Sequence, residues 1–229
     1  FTIHSFPTRR SSDLDFALAC GGRDFYRGEA TFGYFTHATL NARAGLDGGE
    51  TVLPWLQRVQ ADVETFVAPP LADLPPRLAF MERALGVPDG GTYGRGYLHA
   101  MLSVPTDAWF FRRHFYEDPV MPGSLGVASM REALGRLVYA RLSDPQALRP
   151  VLKTPTGRET RWRYRGQIEP DDLRGGGTPG EAPPISLEVH LQELEEDSNG
   201  VQAWGDGSLW RHGLRIYEVH DLGIAFSVR

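Results

Sequence analysis

The sequence predicts an α+β fold in which an antiparallel sheet wraps around one long helix. Apolar residues from Val127 to Val138 recur at spacings of three and four, which is the helical period. After residue 160, at least four segments alternate apolar and polar side chains, as strands with one buried face do. A single apolar helix and a one-sided sheet can bury their apolar surfaces against each other, which favours this architecture.

The first half of the chain is less regular. Residues 15–50 are rich in glycine and aromatic side chains and show no clear period. Apolar positions in 54–68 predict one amphipathic helix, and two Pro-Pro pairs within 68–76 indicate an extended linker. The run from Tyr93 to Val104 alternates well enough to predict a strand.

The second half carries the clearest elements. The long helix is predicted from Ser124 to Leu142, with Ser124 as its N-cap directly after a Pro-Gly break. A loop rich in glycine and proline, 171–184, is predicted to be mobile. At least four strands are predicted in this half: 161–166, 186–191, 201–210 and 214–228.

Composition excludes several classes of protein. The 229 residues include one cysteine, Cys20, so neither an intrachain disulfide nor a cysteine-based zinc site can form. The histidines at 99, 190, 212 and 220 show no metal-ligand spacing, so no metal is predicted. No apolar run is long enough to span a membrane, and a net charge of −5 argues against nucleic-acid binding.

Three regions are expected along the chain. Residues 1–14 resemble a translated sequencing-adapter segment, and we therefore treat them as non-native and expect the natural protein to continue upstream of Asp15. Residues 15–72 are interpreted as the linker or tail of an upstream module. Residues 73–229 are expected to form the main domain.

The most specific pattern is His-Phe-x-x-Asp-Pro-Val-Met-Pro-Gly, from His114 to Gly123. It resembles the hot-dog-fold 3-hydroxyacyl-thioester dehydratases of the β-hydroxydecanoyl dehydratase/isomerase family. More narrowly, it is similar to the dehydratase domains of polyunsaturated fatty acid and polyketide-type synthases. The resemblance runs from about Asp73 to the C-terminus and implies a hot-dog fold, an antiparallel sheet wrapped around a central helix.

The chemistry of the motif supports the same function. Dehydration needs a base for the α proton, and the imidazole of His114 is suited to that role. The backbone N–H of Gly123, at a helix N-terminus, can bind the thioester oxygen as negative charge develops. The substrate-binding residues expected from the motif are Phe115, Val120, Met121, Pro122 and Arg113. Arg113 and its neighbour Arg112 are either phosphate contacts or simply solvated side chains.

One expected group is missing. In the family, a carboxylate on the central helix follows the histidine by fourteen positions, and here that position is Ala128. Glu132, one helical turn further on, can substitute for it or can be a solvated carboxylate. Ser129 can hold a water molecule, or the site is degenerate and the domain is a structural or acyl-holding partner.

The resemblance implies a cytoplasmic 3-hydroxyacyl-[acyl-carrier-protein] dehydratase, with or without isomerase activity, in fatty acid or polyketide biosynthesis. The substrate is carried on the phosphopantetheine arm of an acyl carrier protein, and the enzyme needs no cofactor of its own. Residues 192–197 are mostly acidic where free-standing relatives carry a basic run, so we expect a tethered carrier. We also expect a homodimer or an upstream hot-dog partner. A hot-dog thioesterase is the remaining, lower-ranked alternative.

Overall fold

The computed structural model describes residues 11–33, 44–59, 65–68, 70–71, 75–142, 148, 152–173 and 184–228. The chain divides into two compact units, residues 1–43 and residues 44–229. The larger unit contains the helix and the sheet that the sequence predicts. Among the described residues, no helix is both long and apolar enough to cross a membrane.

The smaller unit is an antiparallel hairpin of two strands, β1 (Ser11–Cys20) and β2 (Arg23–Gly33). Its turn is Gly21-Gly22, and both glycines adopt positive φ angles, 57° and 74°, as tight hairpin turns require. The first residues of β1, Ser11 to Leu14, belong to the segment interpreted as non-native, and they pair with residues 30–33.

The larger unit contains a seven-stranded antiparallel sheet and one long helix, which confirms the predicted fold class. The sheet order is β3-β4-β5-β7-β8-β9-β6. The strands are β3 (Phe66–Val67), β4 (Met81–Val87), β5 (Tyr97–Leu102), β6 (Arg161–Tyr164), β7 (Ile185–Asp197), β8 (Gly200–Arg211) and β9 (Leu214–Ser227). Within the described ranges, the helices are α1 (Trp55–Arg58) and α2 (Gly123–Tyr139), with 3-10 turns at Pro76–Leu78, Trp109–Arg112 and Pro170–Leu173.

The long helix α2 confirms the prediction from its apolar stripe. Met130, Leu134, Leu137 and Val138 are fully buried in the main core cluster, which also includes residues of β5, β7, β8 and β9. The predicted N-cap, Ser124, is wrong because the helix already begins at Gly123. Pro122 takes the cap position with extended backbone angles and supplies no side-chain cap.

Two other predicted elements are shorter than expected. The helix predicted over 54–68 ends at Arg58 because Val59 is extended, and Phe66–Val67 pairs with β4 instead; residues 60–64 lie outside the described residues. The strand predicted from Tyr93 begins at Tyr97, because Gly94 and Gly96 adopt positive φ angles in the preceding turn. The loop predicted to be mobile lies largely outside the described residues, at 174–183.

A second difference concerns which strand faces are buried. Alternation predicts one wet face for β7, yet every residue from Ile185 to Leu191 is buried. The reason is that residues 44–59, part of the segment interpreted as a linker, belong to the same compact unit and bond to the sheet. The Trp210 indole donates to the Val52 carbonyl oxygen at 2.6 Å. By contrast, β6 is exposed at all four positions, since it is an edge strand.

The Glu188 carboxylate joins residues 44–59 to the sheet. Its Oε2 accepts hydrogen bonds from the Trp55 backbone N–H (2.6 Å) and the Tyr97 hydroxyl (2.8 Å). The Thr92 N–H donates to His190 Nδ1 at 3.0 Å, so the ring proton of His190 is on Nε2, which lies 3.2 Å from Glu188 Oε1. Burial alone would raise the pKa of Glu188, but these donors, His190 first, outweigh burial and lower it.

This network predicts acid sensitivity. Because the pKa of Glu188 is lowered in the folded state, its stabilisation is present above the ordinary value of 4.5 and is lost as the pH falls through the folded-state pKa. Glu188→Gln is expected to lower the free energy of unfolding at neutral pH by about 2 kcal/mol. It should also reduce the loss of stability between about pH 5 and pH 2.

Urea denaturation across this pH range measures both effects. The matched control is Glu196→Gln, an exposed carboxylate on the same strand, with an expected change below about 0.5 kcal/mol. Equal effects at the two positions would contradict a stabilising role for the Glu188 network.

Candidate active site

The motif loop is anchored to the core by its first aromatic residues. Phe110 and Phe111, in the 3-10 turn Trp109–Arg112, are buried, and the Phe110 ring packs edge-on against Phe80 at 5.9 Å between ring centroids. The His114 backbone N–H donates to the Phe110 carbonyl oxygen at 2.9 Å. The histidine therefore follows directly from a rigid, buried anchor.

The His114 ring is half-buried and has a defined proton position. Its Nδ1 lies 3.1 Å from the Val120 carbonyl oxygen. A carbonyl oxygen can only accept, so Nδ1 carries the ring proton in this hydrogen bond. In the neutral imidazole, Nε2 is then left with its lone pair, which is what a general base requires.

The residues predicted to bind substrate fall into two groups. Val120 and Met121 are buried, and the Met121 N–H donates to the Ile168 carbonyl oxygen at 2.9 Å. Pro122 is half-buried, whereas Arg113 is exposed and Phe115 is 57% exposed. Arg112 is exposed as well. The structure therefore separates a buried wall of the loop from an exposed rim around His114.

Gly123 is the first residue of α2. Within the described part of the chain, its backbone N–H has no acceptor, whereas the Leu125 N–H already donates to the Pro122 carbonyl oxygen at 3.0 Å. A free N–H at a helix N-terminus is a ready donor to an anionic oxygen. The proposed base and the proposed oxyanion donor thus lie at the two ends of one short, anchored loop.

No carboxylate stands at the helix position where the family has its acid. Ala128 is exposed. Glu132 is only 2% exposed, and its Oε1 accepts from Arg136 Nε and Nη2 at 2.8 and 2.5 Å. The alternative of a solvated Glu132 is therefore wrong. Burial raises the pKa of Glu132, with Arg136 opposing the shift, and Oε2 is the oxygen that these bonds leave free.

The hydroxyl hydrogen of Ser129, the other candidate on the helix, is already used in a hydrogen bond. Ser129 is buried, and its Oγ donates to the Leu125 carbonyl oxygen at 3.0 Å, one turn back in the same helix. This is a local helix bond of the kind that serine often makes. No set of three potential metal-ligating side chains is grouped in the described ranges.

Sequence reasoning missed Tyr164, at the end of β6. Its ring atoms Cε1, Cζ and Cδ1 are 3.5, 3.6 and 3.7 Å from the point that a β-carbon on Gly123 would occupy. The alternation of Trp162 and Tyr164 with arginines indicated a strand, but nothing in that pattern pointed to the start of α2. The juxtaposition arises from the pairing of β6 with β9.

Comparisons with known proteins agree with the motif. Residues 74–220 match the family model described as a FabA-like domain. The chain is 31% identical over 235 residues to a subunit of the polyunsaturated fatty acid synthase of Thraustochytrium sp., covering 93% of this chain and 15% of that protein. The chain thus spans a small part of that relative's length. With the hot-dog architecture and the motif both in place, the chain belongs to the family of FabA-like domains.

Proposed function

We propose that this domain removes water from 3-hydroxyacyl thioesters as the dehydratase of a fatty acid or polyketide-type synthase. The observation that carries the proposal is the pair of free groups on one loop. His114 Nε2 is available as a base because Nδ1 bonds Val120, and the Gly123 N–H is available as a donor. Membership of the FabA-like family supports the same reaction class.

In the proposed reaction, His114 Nε2 takes the proton from C2 of the acyl chain. A positioned base of this kind contributes roughly 10²–10⁴-fold to the rate. The Gly123 N–H hydrogen-bonds the thioester oxygen as enolate character develops, and one such donor is worth roughly 10²–10³-fold. The C3–O bond then breaks, and its oxygen takes up a proton and leaves as water, giving the enoyl thioester.

A catalytically degenerate partner domain is the second candidate function. The observation that favours it is Ala128, which has no proton to donate and is exposed. In this case the domain shapes a double hot dog and holds the acyl chain. Enoyl product formation separates the two candidates, and release of the free acid would instead identify a thioesterase.

Pairing with a second hot-dog half can supply what this domain lacks. We propose a homodimer or an upstream hot-dog partner whose carboxylate completes the His114 site. Two exposed aromatic side chains that follow the histidine support such a contact: Phe115 is 57% exposed and Tyr116 is 91% exposed. Large exposed aromatic side chains are typical of surfaces that become covered on association.

The acyl carrier protein is proposed to be tethered and not captured from solution. Glu195 and Glu196 are exposed on β7, and they would repel an acidic carrier. Tethering supplies roughly millimolar effective concentration and removes the need for affinity. The phosphopantetheine belongs to the carrier, so the domain uses no cofactor of its own, and a cytoplasmic location is proposed for the synthase.

The first test is turnover of a 3-hydroxyacyl pantetheine thioester, followed as enoyl product by mass spectrometry. The isolated chain is expected to react slowly, and His114→Ala should abolish the reaction because it removes the base. Ala128→Asp should raise the rate about 10- to 100-fold by restoring a proton donor.

His212→Asn is the matched control, since His212 is exposed in the turn between β8 and β9 and asparagine tolerates its positive φ of 48°. Turnover that survives His114→Ala would overturn the proposed function. A complete absence of product, with Ala128→Asp also inactive, would favour the degenerate partner.

The second test is binding of free acyl carrier protein by calorimetry at physiological salt. No association in the low micromolar range is expected, because the acidic end of β7 repels the carrier. The double substitution Glu195→Gln and Glu196→Gln removes two negative charges and should tighten binding of the carrier about two- to five-fold. Glu82→Gln, an exposed carboxylate on β4, is the control. Low micromolar affinity of the unaltered chain would contradict the tethering proposal.

A further inference from the structure

The Tyr164 side chain lies against the start of α2. Its hydroxyl-bearing carbon Cζ is 3.6 Å from the point where a Gly123 β-carbon would sit, so the glycine leaves a gap between ring and helix. Tyr164 is 49% exposed, which keeps the ring edge reachable by a ligand. The Tyr164 ring therefore lies beside Gly123, the residue whose N–H is proposed to bind the thioester oxygen.

The position of Tyr164 is determined by its neighbours. Tyr164 pairs with Tyr217 across β6 and β9, and the two ring centroids are 5.5 Å apart. Tyr217 is buried and lies against Gly126 of α2, where a β-carbon would come within 2.3 Å of its ring. Next to it, the Arg163 guanidinium pairs with Glu218 at 2.7 Å and holds the edge strand on β9.

The proton donors considered on α2 itself are absent or engaged. Ala128 has no titratable group, and the Ser129 hydroxyl bonds the helix backbone. The Glu132 carboxylate is only 2% exposed, and Arg136 binds its Oε1 inside the core. Elimination still requires a proton for the leaving hydroxyl, because hydroxide is a poor leaving group.

We propose that the Tyr164 hydroxyl gives the departing 3-hydroxyl its proton, in the role that a helix carboxylate would otherwise fill. The inference rests on the proposed dehydratase function and names a further catalytic residue for it. A phenol is a weaker acid than a carboxylic acid. The reaction is therefore slower than with a carboxylate but does not need one.

The proposed step balances as follows. His114 Nε2 takes the C2 proton, and the electron pair of that bond forms the C2=C3 double bond. The C3–O bond breaks, and its oxygen takes the Tyr164 proton to leave as water. The phenolate then regains a proton from the His114 imidazolium through solvent, which returns both residues to their starting states.

The experiment uses the 229-residue chain under single-turnover conditions with a 3-hydroxyacyl pantetheine thioester. Tyr164→Phe removes only the hydroxyl, and it is expected to lower the rate of enoyl formation about 100-fold with an unchanged melting temperature. Adding Ala128→Asp to Tyr164→Phe should restore the rate to at least that of the unaltered chain. A packing role for the ring would not be rescued in this way.

Tyr26→Phe, the same deletion on a 53% exposed ring of the hairpin strand β2, should leave the rate unchanged. An unaltered rate in Tyr164→Phe while His114→Ala abolishes turnover would overturn the Tyr164 proposal alone. The Tyr164 proposal would also be overturned if the unaltered chain showed no detectable turnover. It would equally fail if Ala128→Asp did not restore the rate lost in Tyr164→Phe. A turnover rate that His114→Ala does not change would instead contradict the proposed function on which this inference rests.

Discussion

The burial of α2 within the sheet is the constraint on which the rest of the structure depends. Ten of its 17 residues are buried, from Gly126 to Val138. Once this apolar stripe is packed, the start of the helix has one possible place, and Gly123 with its free N–H is held there. The His114 loop is fixed to the same core through Phe110 and Phe111, so the proposed base and the proposed donor are anchored to one core.

Buried polar groups in this domain are compensated in different ways. Glu188 sits on the face of the sheet covered by residues 44–59, and three donors surround it. Glu132 is held by a bidentate contact to Arg136 within the helix. Because an unpaired buried charge costs several kcal/mol, both carboxylates need these hydrogen-bond donors to remain buried.

The loss of the helix carboxylate changes how such a site can work. The proposed base and oxyanion donor remain, and the motif lacks a source of the proton for the leaving oxygen. We propose two alternative sources: a carboxylate brought by a second hot-dog half, and the phenol of Tyr164 within this chain. Both preserve the role of His114. They differ in whether the domain retains chemistry when it stands alone.

The sequence by itself determined the elements whose signals are local. The stripe from Val127 to Val138 predicted α2, and the motif from His114 to Gly123 indicated the family and the residues proposed as base and donor. Period-two alternation located the last strands, because it reports side-chain direction along one strand. It misjudged β7 and β6, since whether a face is covered depends on distant segments such as residues 44–59.

Tertiary structure alone decided the surroundings of the site. Glu132 is buried and paired, Ser129 is engaged, and Tyr164 meets Gly123 across a strand far along the chain. Each of these facts depends on which elements pack together. Spacing along the sequence carries no information about contacts of that kind.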